Sequence, residues 1–218
     1  MTNTSPILGK FITIEGQDGA GKTTNLAFIC EYLQQQGIEL IVTREPGGTE
    51  LGENLRELLL CKDITISAKT ELLLMFSARC QHVEEVIMPA LNTGKWVVCD
   101  RFTDATYAYQ GGGHGINSAT IEEVEQVCLG GFKPDLTLLL DLDVDIGQSR
   151  SEQRRLSDDA GQLDRFERQK VEFKQRVRDA YLQRCEKDSF RMKRVNASQS
   201  LGDVQHNISD HLAIFLKQ

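Results

Sequence analysis

The chain has 218 residues, 40% hydrophobic and 26% charged, with a formal net charge of −7. This is the balance of a soluble globular protein long enough for one well-buried core. It excludes a broadly basic surface for nucleic acid, so the partners to expect are small, with local arginines holding any anion.

No signal-peptide pattern opens the sequence, and no apolar run approaches the ~20 residues of a membrane span. The cysteines at 30, 61, 80, 99, 128 and 185 include no C-x-x-C pair and read as thiols in a reducing compartment. The expectation is a cytoplasmic protein with neither nucleic acid nor a membrane as partner.

Lys10–Gly16 (KFITIEG) is a β-branched run closed by glycine, a buried strand by pattern. From Lys22, apolar residues at Leu26, Ile29 and Leu33 keep helical spacing until Gly37. Residues 38–45 (IELIVTRE) read as a second strand, and 52–60 and 67–94 as helices, the longer one stopped by Gly94 with Pro89 near its end. Residues 95–101 (KWVVCDR) and 133–143 (KPDLTLLLDLD) are third and fourth strands, and 190–198 (FRMKRVNAS) a fifth, less apolar one. Helices over 161–187 and from Leu201 complete the alternation. Such alternation predicts a mostly parallel sheet covered on both faces. No repeat or linker divides residues 1–218, so one domain is expected. Gly147–Gln162, polar and poor in core residues, reads as a mobile surface segment.

Gly16–Thr23 fits G-x-x-x-x-G-K-[ST] without a mismatch, after a predicted strand and before a predicted helix. Its physics is anion binding: successive backbone N–H groups at Gly19, Ala20 and Gly21 face phosphate oxygens, and the helix N-terminus adds its positive dipole end. Lys22 supplies charge toward the outer phosphates, and the Thr23 hydroxyl is the expected magnesium ligand. The nucleotide site is expected to comprise Gly16, Gln17, Asp18, Gly19, Ala20, Gly21, Lys22, Thr23 and Thr24. Two classes then compete, a phosphotransferase and a GTP-dependent switch. The switch needs a guanine-reading N-K-x-D, which is absent, and the D-x-x-G match at Asp158–Gly161 lies in the polar segment rather than after a strand. The second and third strands run into TREPGGT (Thr43–Thr49) and CDRFTDATYAYQGGG (Cys99–Gly113), bringing Arg44, Asp100 and Arg101 to the ligand-binding edge of a parallel sheet.

TREPGGT, DRF, AYQGGG, KPDLTLLLD and LDRFE, in this order after GAGKTT, resemble the bacterial thymidylate kinases over about Lys10–Ser198. The resemblance implies a three-layer P-loop NTPase α/β fold, a five-stranded parallel sheet with helices on both faces and a short lid over about 147–162. It implies transfer of the terminal phosphoryl of ATP to dTMP with Mg2+, giving dTDP; the alternative is a kinase for another nucleoside monophosphate. By resemblance, Arg101 sits between donor and acceptor phosphates, Arg56 holds the dTMP phosphate, and Asp100 acts on magnesium. Glu45 and Pro46 join the substrate site, and Asp18 accepts from the 3′-hydroxyl of dTMP, a strong charge-assisted contact.

Relatives of one subtype carry an arginine directly after that Asp. Here Gly19 stands there and arginines appear at 150, 154 and 155, as in the subtype whose lid supplies them. Arg150 and Arg154, at i and i+4, are the expected pair. The family stacks thymine on a Phe four residues before an Arg that donates to O4. Here Arg79 is preceded by Met75 at four and Phe76 at three, and Phe76 is the expected stacking residue. Thr106 is expected at the base edge, Tyr109 under the sugar, Gln110 over the base and Glu167 near the acceptor phosphate. Asp164 and Arg165 would hold the lid base, and the backbone of Val195–Ser198 would cradle adenine. A homodimer through the long helix completes the implied picture.

Overall fold

The computed structural model describes residues 8–157 and 165–217. Five strands form a parallel sheet: β1 (Phe11–Glu15), β2 (Leu40–Arg44), β3 (Trp96–Asp100), β4 (Leu136–Asp141) and β5 (Met192–Asn196), in the order β2-β3-β1-β4-β5. The chain therefore leaves β1 for one edge, returns to pair β3 beside it, and then builds the other side. The switch point lies at the carboxyl end of β1, where a crevice opens for ligands. Every residue of β1 and β4 is buried, as expected for central strands covered on both faces.

One face of the sheet carries α1 (Lys22–Gln35) and α9 (Leu201–Phe215) over a core that includes Ile12, Ile14, Leu138, Ile29 and Ile208. The other face carries α3 (Ala68–His82), which packs against α2 (Glu50–Leu60) and α6 (Ser118–Leu129). Its core includes Phe11, Val97, Phe76, Phe102 and Ile121. A third cluster forms where α8 (Val171–Lys187) covers Leu139 with Phe173, Val177 and Tyr181. The motif after β3 winds into a short helix (Thr103–Thr106) and a π-helical segment (Tyr107–Gly113) that packs closely on α8. Gly112 and Gly113 permit that approach: a Cβ there would lie 2.5 Å from Ala180 Cβ and 2.4 Å from Phe173 Cζ.

Three sequence expectations change. The helix over 67–94 is not regular, because Val83–Ile87 is π-helical and Met88 N–H bonds to Val83 O. The widened turn falls just before Pro89, which has no N–H to continue an α-helical ladder. The helix drawn over 161–187 begins only at Val171; residues 165–168 are turns and Gly161–Asp164 lie outside the described residues. The segment read as mobile is helical through Ser157, as α7 (Val144–Ser157), with the rest of the lid range outside the described residues. Its Glu, Gln, Arg and Leu residues are good helix formers, and a largely solvated helix has no need of an apolar stripe.

Candidate active site

The loop between β1 and α1 closes on itself around Lys22, whose Nζ donates to the carbonyls of Gly16 and Gln17 at 3.1 Å each and lies 3.8 Å from Asp18 Oδ1. Burial pushes the Lys22 ammonium down to about 8, with Arg101 adding repulsion. The negative charge of a bound polyphosphate would oppose both effects. Gly19 is in the left-handed region, with φ of 80°, and a Cβ there would lie 2.2 Å from Gly147 O in α7. The loop and α7 therefore meet backbone to backbone, and a loop arginine at position 19 has no room beside this helix.

Arg101 follows β3 and is the one non-glycine residue with positive φ among the described residues, at 71°. Such backbone costs ~1–2 kcal/mol and clusters at functional sites. The Arg101 Nη2 donates to Asp18 Oδ1 at 3.0 Å and Nη1 to the Tyr181 hydroxyl at 3.3 Å, with Cζ 5.1 Å from the Tyr109 ring centroid. Burial would raise the Asp18 carboxyl, but Arg101 and Lys22 hold it below its ordinary value, so it stays ionised. The opposite holds for Glu15 at the end of β1. Burial and the nearby Asp104 push it up to about 7, although Arg101, Tyr181 and the Phe102 N–H oppose the shift.

Two cavities meet at this arginine. A trough is lined by Asp18, Gly19, Gly21, Lys22, Thr23, Thr24, Asp100, Arg150, Arg154 and Glu167. A cleft beside it is lined by Glu45, Pro46, Met75, Arg79, Phe102, Thr106, Tyr109, Gln110 and Phe166. Asp18, Arg56 and Arg101 line both. Arg155 lines a third cavity, with Gln17 and Phe173, and not the trough. Arg150 is tied to the residue after β5 through a 2.9 Å bond from Nη1 to Ala197 O.

The cleft is rigid. Arg79, 3% exposed, donates from Nε to Glu45 at 2.6 Å, from Nη1 to Thr106 Oγ1 at 2.9 Å and from Nη2 to Phe102 O at 3.1 Å. Of its five N–H donors two remain for a ligand. Glu45 in turn accepts from His82 Nδ1 at 2.9 Å, and Arg56 Nη1 donates to Pro46 O at 2.9 Å. Gln110 donates to the buried Glu71 at 2.7 Å.

Phe76 does not line the cleft. It is 1% exposed in the core and cushions Arg79 from below, its ring centroid 4.9 Å from Cζ, while Met75 faces the cavity. Successive helix residues point ~100° apart, so only one of the two can face outward, and packing against the sheet chose Met75.

Sequence reasoning missed Glu15, Glu71, Tyr181 and the cleft role of Phe166. The signal for Glu15 was a carboxylate ending an apolar strand. Tyr181 carried none, since it reaches the site only through the docking of α8.

A phosphate loop at the switch point of a parallel sheet, joined through Asp18, Arg56 and Arg101 to a cleft walled partly by Phe102, Tyr109 and Phe166, defines a P-loop kinase of small phosphorylated acceptors. The family model for thymidylate kinase matches residues 14–208. Thymidylate kinase of Teredinibacter turnerae is 49% identical over 209 residues, covering 95% of this chain and 99% of that protein. That of Hahella chejuensis is 51% identical over 94% of this chain and 96% of its own. The crystal structure of thymidylate kinase from Ehrlichia chaffeensis superposes with a TM-score of 0.75 at 32% identity, covering 94% of this chain and 98% of that one. The chain belongs to the thymidylate kinase family and is a nucleoside monophosphate kinase.

Proposed function

We propose that the chain, acting as one domain, catalyses ATP-dependent phosphorylation of dTMP to dTDP, with the acceptor phosphate held where trough and cleft join. The supporting observation is that Asp18, Arg56 and Arg101 line both cavities, so a monophosphate whose base fills the cleft presents its phosphate to the trough.

Phosphoryl transfer of this kind asks for positioning and charge compensation more than covalent chemistry. The N–H groups of Gly19–Gly21 and the start of α1 bind the ATP phosphates, and Lys22 turns its charge to the outer ones. Arg101 neutralises the transferring group, Arg56 the acceptor phosphate, and Arg150 and Arg154 close the trough from the lid side, a contribution worth roughly 10³–10⁵ in rate for such arginines. Asp18 accepts from the sugar 3′-hydroxyl, and Glu167 stands beside the acceptor.

The residues also suit magnesium. Asp100 Oδ1 is buried with no hydrogen-bond partner among the described residues, and Asp100 and the Thr23 hydroxyl line the same trough. Two hard oxygen donors completed by phosphates and water are what Mg2+ takes, and when bound it neutralises phosphate oxygens.

In the cleft, Arg79 directs its remaining N–H groups to the O4 acceptor of thymine and opposes the N4 amino group of cytosine. Met75 covers the base as a polarisable thioether. Thr106 and Gln110 complete the base pocket, and Tyr109 fills the space of a 2′-hydroxyl. The Val195–Ser198 backbone holds adenine. Exposed Leu73 on α3 and Val127 on α6, helices that pack together, support a homodimer through this face. Six free cysteines support a cytoplasmic setting, and no helix among the described residues is long and apolar enough to cross a membrane.

The test is ADP formation with magnesium-ATP and dTMP, dUMP, dCMP, AMP or GMP in parallel. A strong preference for dTMP is expected. Preference for another monophosphate overturns the base pocket, and no turnover with any overturns the acceptor site.

A further inference from the structure

Arg101 is strained in its backbone and bridged in its side chain, and one buried carboxylate touches the supports of both. Glu15 is fully buried at the end of β1. Its Oε1 accepts the Phe102 N–H at 2.7 Å, the peptide directly after the residue with φ of 71°. Its Oε2 accepts the Tyr181 hydroxyl at 2.7 Å, and that oxygen accepts Arg101 Nη1 at 3.3 Å. Burying a carboxylate and a phenol in a core is costly, and apolar residues of similar volume would pack there more cheaply.

We propose that Glu15 and Tyr181 are positioning residues for Arg101: the carboxylate pins the strained turn and fixes the direction of the phenolic proton, which leaves an oxygen lone pair aimed at the guanidinium. The inference rests on Arg101 acting on the transferring phosphoryl. Its logic is donor counting. An ionised carboxylate only accepts, so the single Tyr181 proton points at Glu15; a guanidinium only donates, so it needs the free lone pair. Tyr109 stacks beside Arg101 and Asp18 bonds its other terminal nitrogen, which leaves Tyr181 to set the Nη1 side.

Glu15→Gln separates this role from simple packing. The amide oxygen still accepts the Phe102 N–H, but the amide N–H₂ now donates to Tyr181, whose proton must turn toward Arg101. The assay is steady-state turnover of dTMP above pH 7, with thermal melting alongside, for Glu15→Gln, Tyr181→Phe, the double variant and Arg101→Ala. Glu15→Gln is expected to lower kcat about tenfold, short of the ~10²-fold that a full ångström of misplacement costs, with KM for ATP within about threefold of wild type. In the Tyr181→Phe background the same change is expected to cost less than about twofold, because the reversed proton is gone.

Unchanged kcat in Glu15→Gln, or losses that multiply in full in the double variant, would overturn the inference. Should Glu15→Gln not fold, Tyr181→Phe carries the test: a kcat loss that disappears in the Arg101→Ala background supports the inference, and an undiminished one refutes it. If Arg101→Ala turns over dTMP like the wild type, the reading of Arg101 itself fails. A slow Arg101→Ala beside normal Glu15→Gln and Tyr181→Phe variants fails this inference alone.

Discussion

Gly147→Ala tests whether the lid acts through its seat on the phosphate loop. Gly147 is the fourth residue of α7, and a Cβ there would lie 2.9 Å from Asp18 O, about 0.5 Å inside the 3.4 Å of ordinary contact. The obstacle is backbone of the phosphate loop, so the helix must lift by roughly that amount. Arg150 and Arg154 ride on the same helix and line the trough, so both guanidiniums move with it. A misplacement of ~1 Å can cost ~10²-fold in rate, so half of that is expected to lower kcat roughly tenfold, about 1.4 kcal/mol of barrier. Stability should move the other way. Alanine is better than glycine inside a helix by ~1 kcal/mol, which offsets the lost contact and keeps Tm level or raises it by a few degrees. Steady-state kinetics and a thermal melt on one preparation read both quantities. A kcat within twofold of wild type would refute the seat. A fall in Tm matching the fall in rate would refute it too, because the loss would then be unfolding. Gly19→Ala meets the same contact from the other side, at 2.2 Å with φ of 80°, and is expected to lose both rate and stability.

Arg79→Gln leaves the buried Glu45 without its guanidinium partner; breaking such a pair costs ~3–5 kcal/mol, so Tm is expected to fall by at least ~6 °C along with dTMP turnover, and a melt unchanged within 2 °C (about the width of a careful measurement) would contradict the buried network. Asp18→Ala is expected to cut dTMP turnover by about 10²-fold while ATP affinity, measured by calorimetry, largely survives; unchanged dTMP kinetics would reject the sugar contact. In acid, burial would raise the Asp104 and Asp141 carboxyls, but Arg191 and Arg184 on one, and Arg178 and Arg194 on the other, hold both below their ordinary values. Their stabilisation is thus complete above the unfolded carboxylate pKa of ~3.9 and is lost as pH falls through the lower folded values. Tm from these pairs should stay level down to about pH 4 and drop below it, and Asp104→Asn should flatten that acid limb while lowering Tm overall; an acid limb of unchanged slope in the variant would refute the assignment. Leu73→Lys, at an exposed position of α3, is expected to convert the proposed dimer to monomer by light scattering, and an unchanged mass would move the interface elsewhere.

Much of this protein is written in contiguous segments. G-Q-D-G-A-G-K-T, lying between a strand pattern and a helix pattern, determined the phosphate loop, because its function is carried by successive backbone N–H groups whose spacing is set by the chain itself. Alternating strands and helices likewise determined a parallel covered sheet, since apolar runs that fill whole strands are stable only when buried on both faces. Family membership was legible because TREPGGT, AYQGGG and LDRFE each stand intact in sequence. Other features were decided only in three dimensions. Met75 rather than Phe76 faces the cleft because the azimuth of α3 is set by packing against the sheet, which neighbouring apolar residues leave ambiguous. Gly147–Ser157 became a helix because intrinsic propensity acts without an amphipathic stripe to announce it. The junction at Arg101 joins Asp18, Tyr109 and Tyr181, from three elements whose separation in sequence reaches 83 residues for the Arg101–Asp18 bond, so only the strand order β3-β1-β4 and the docking of α8 bring them together.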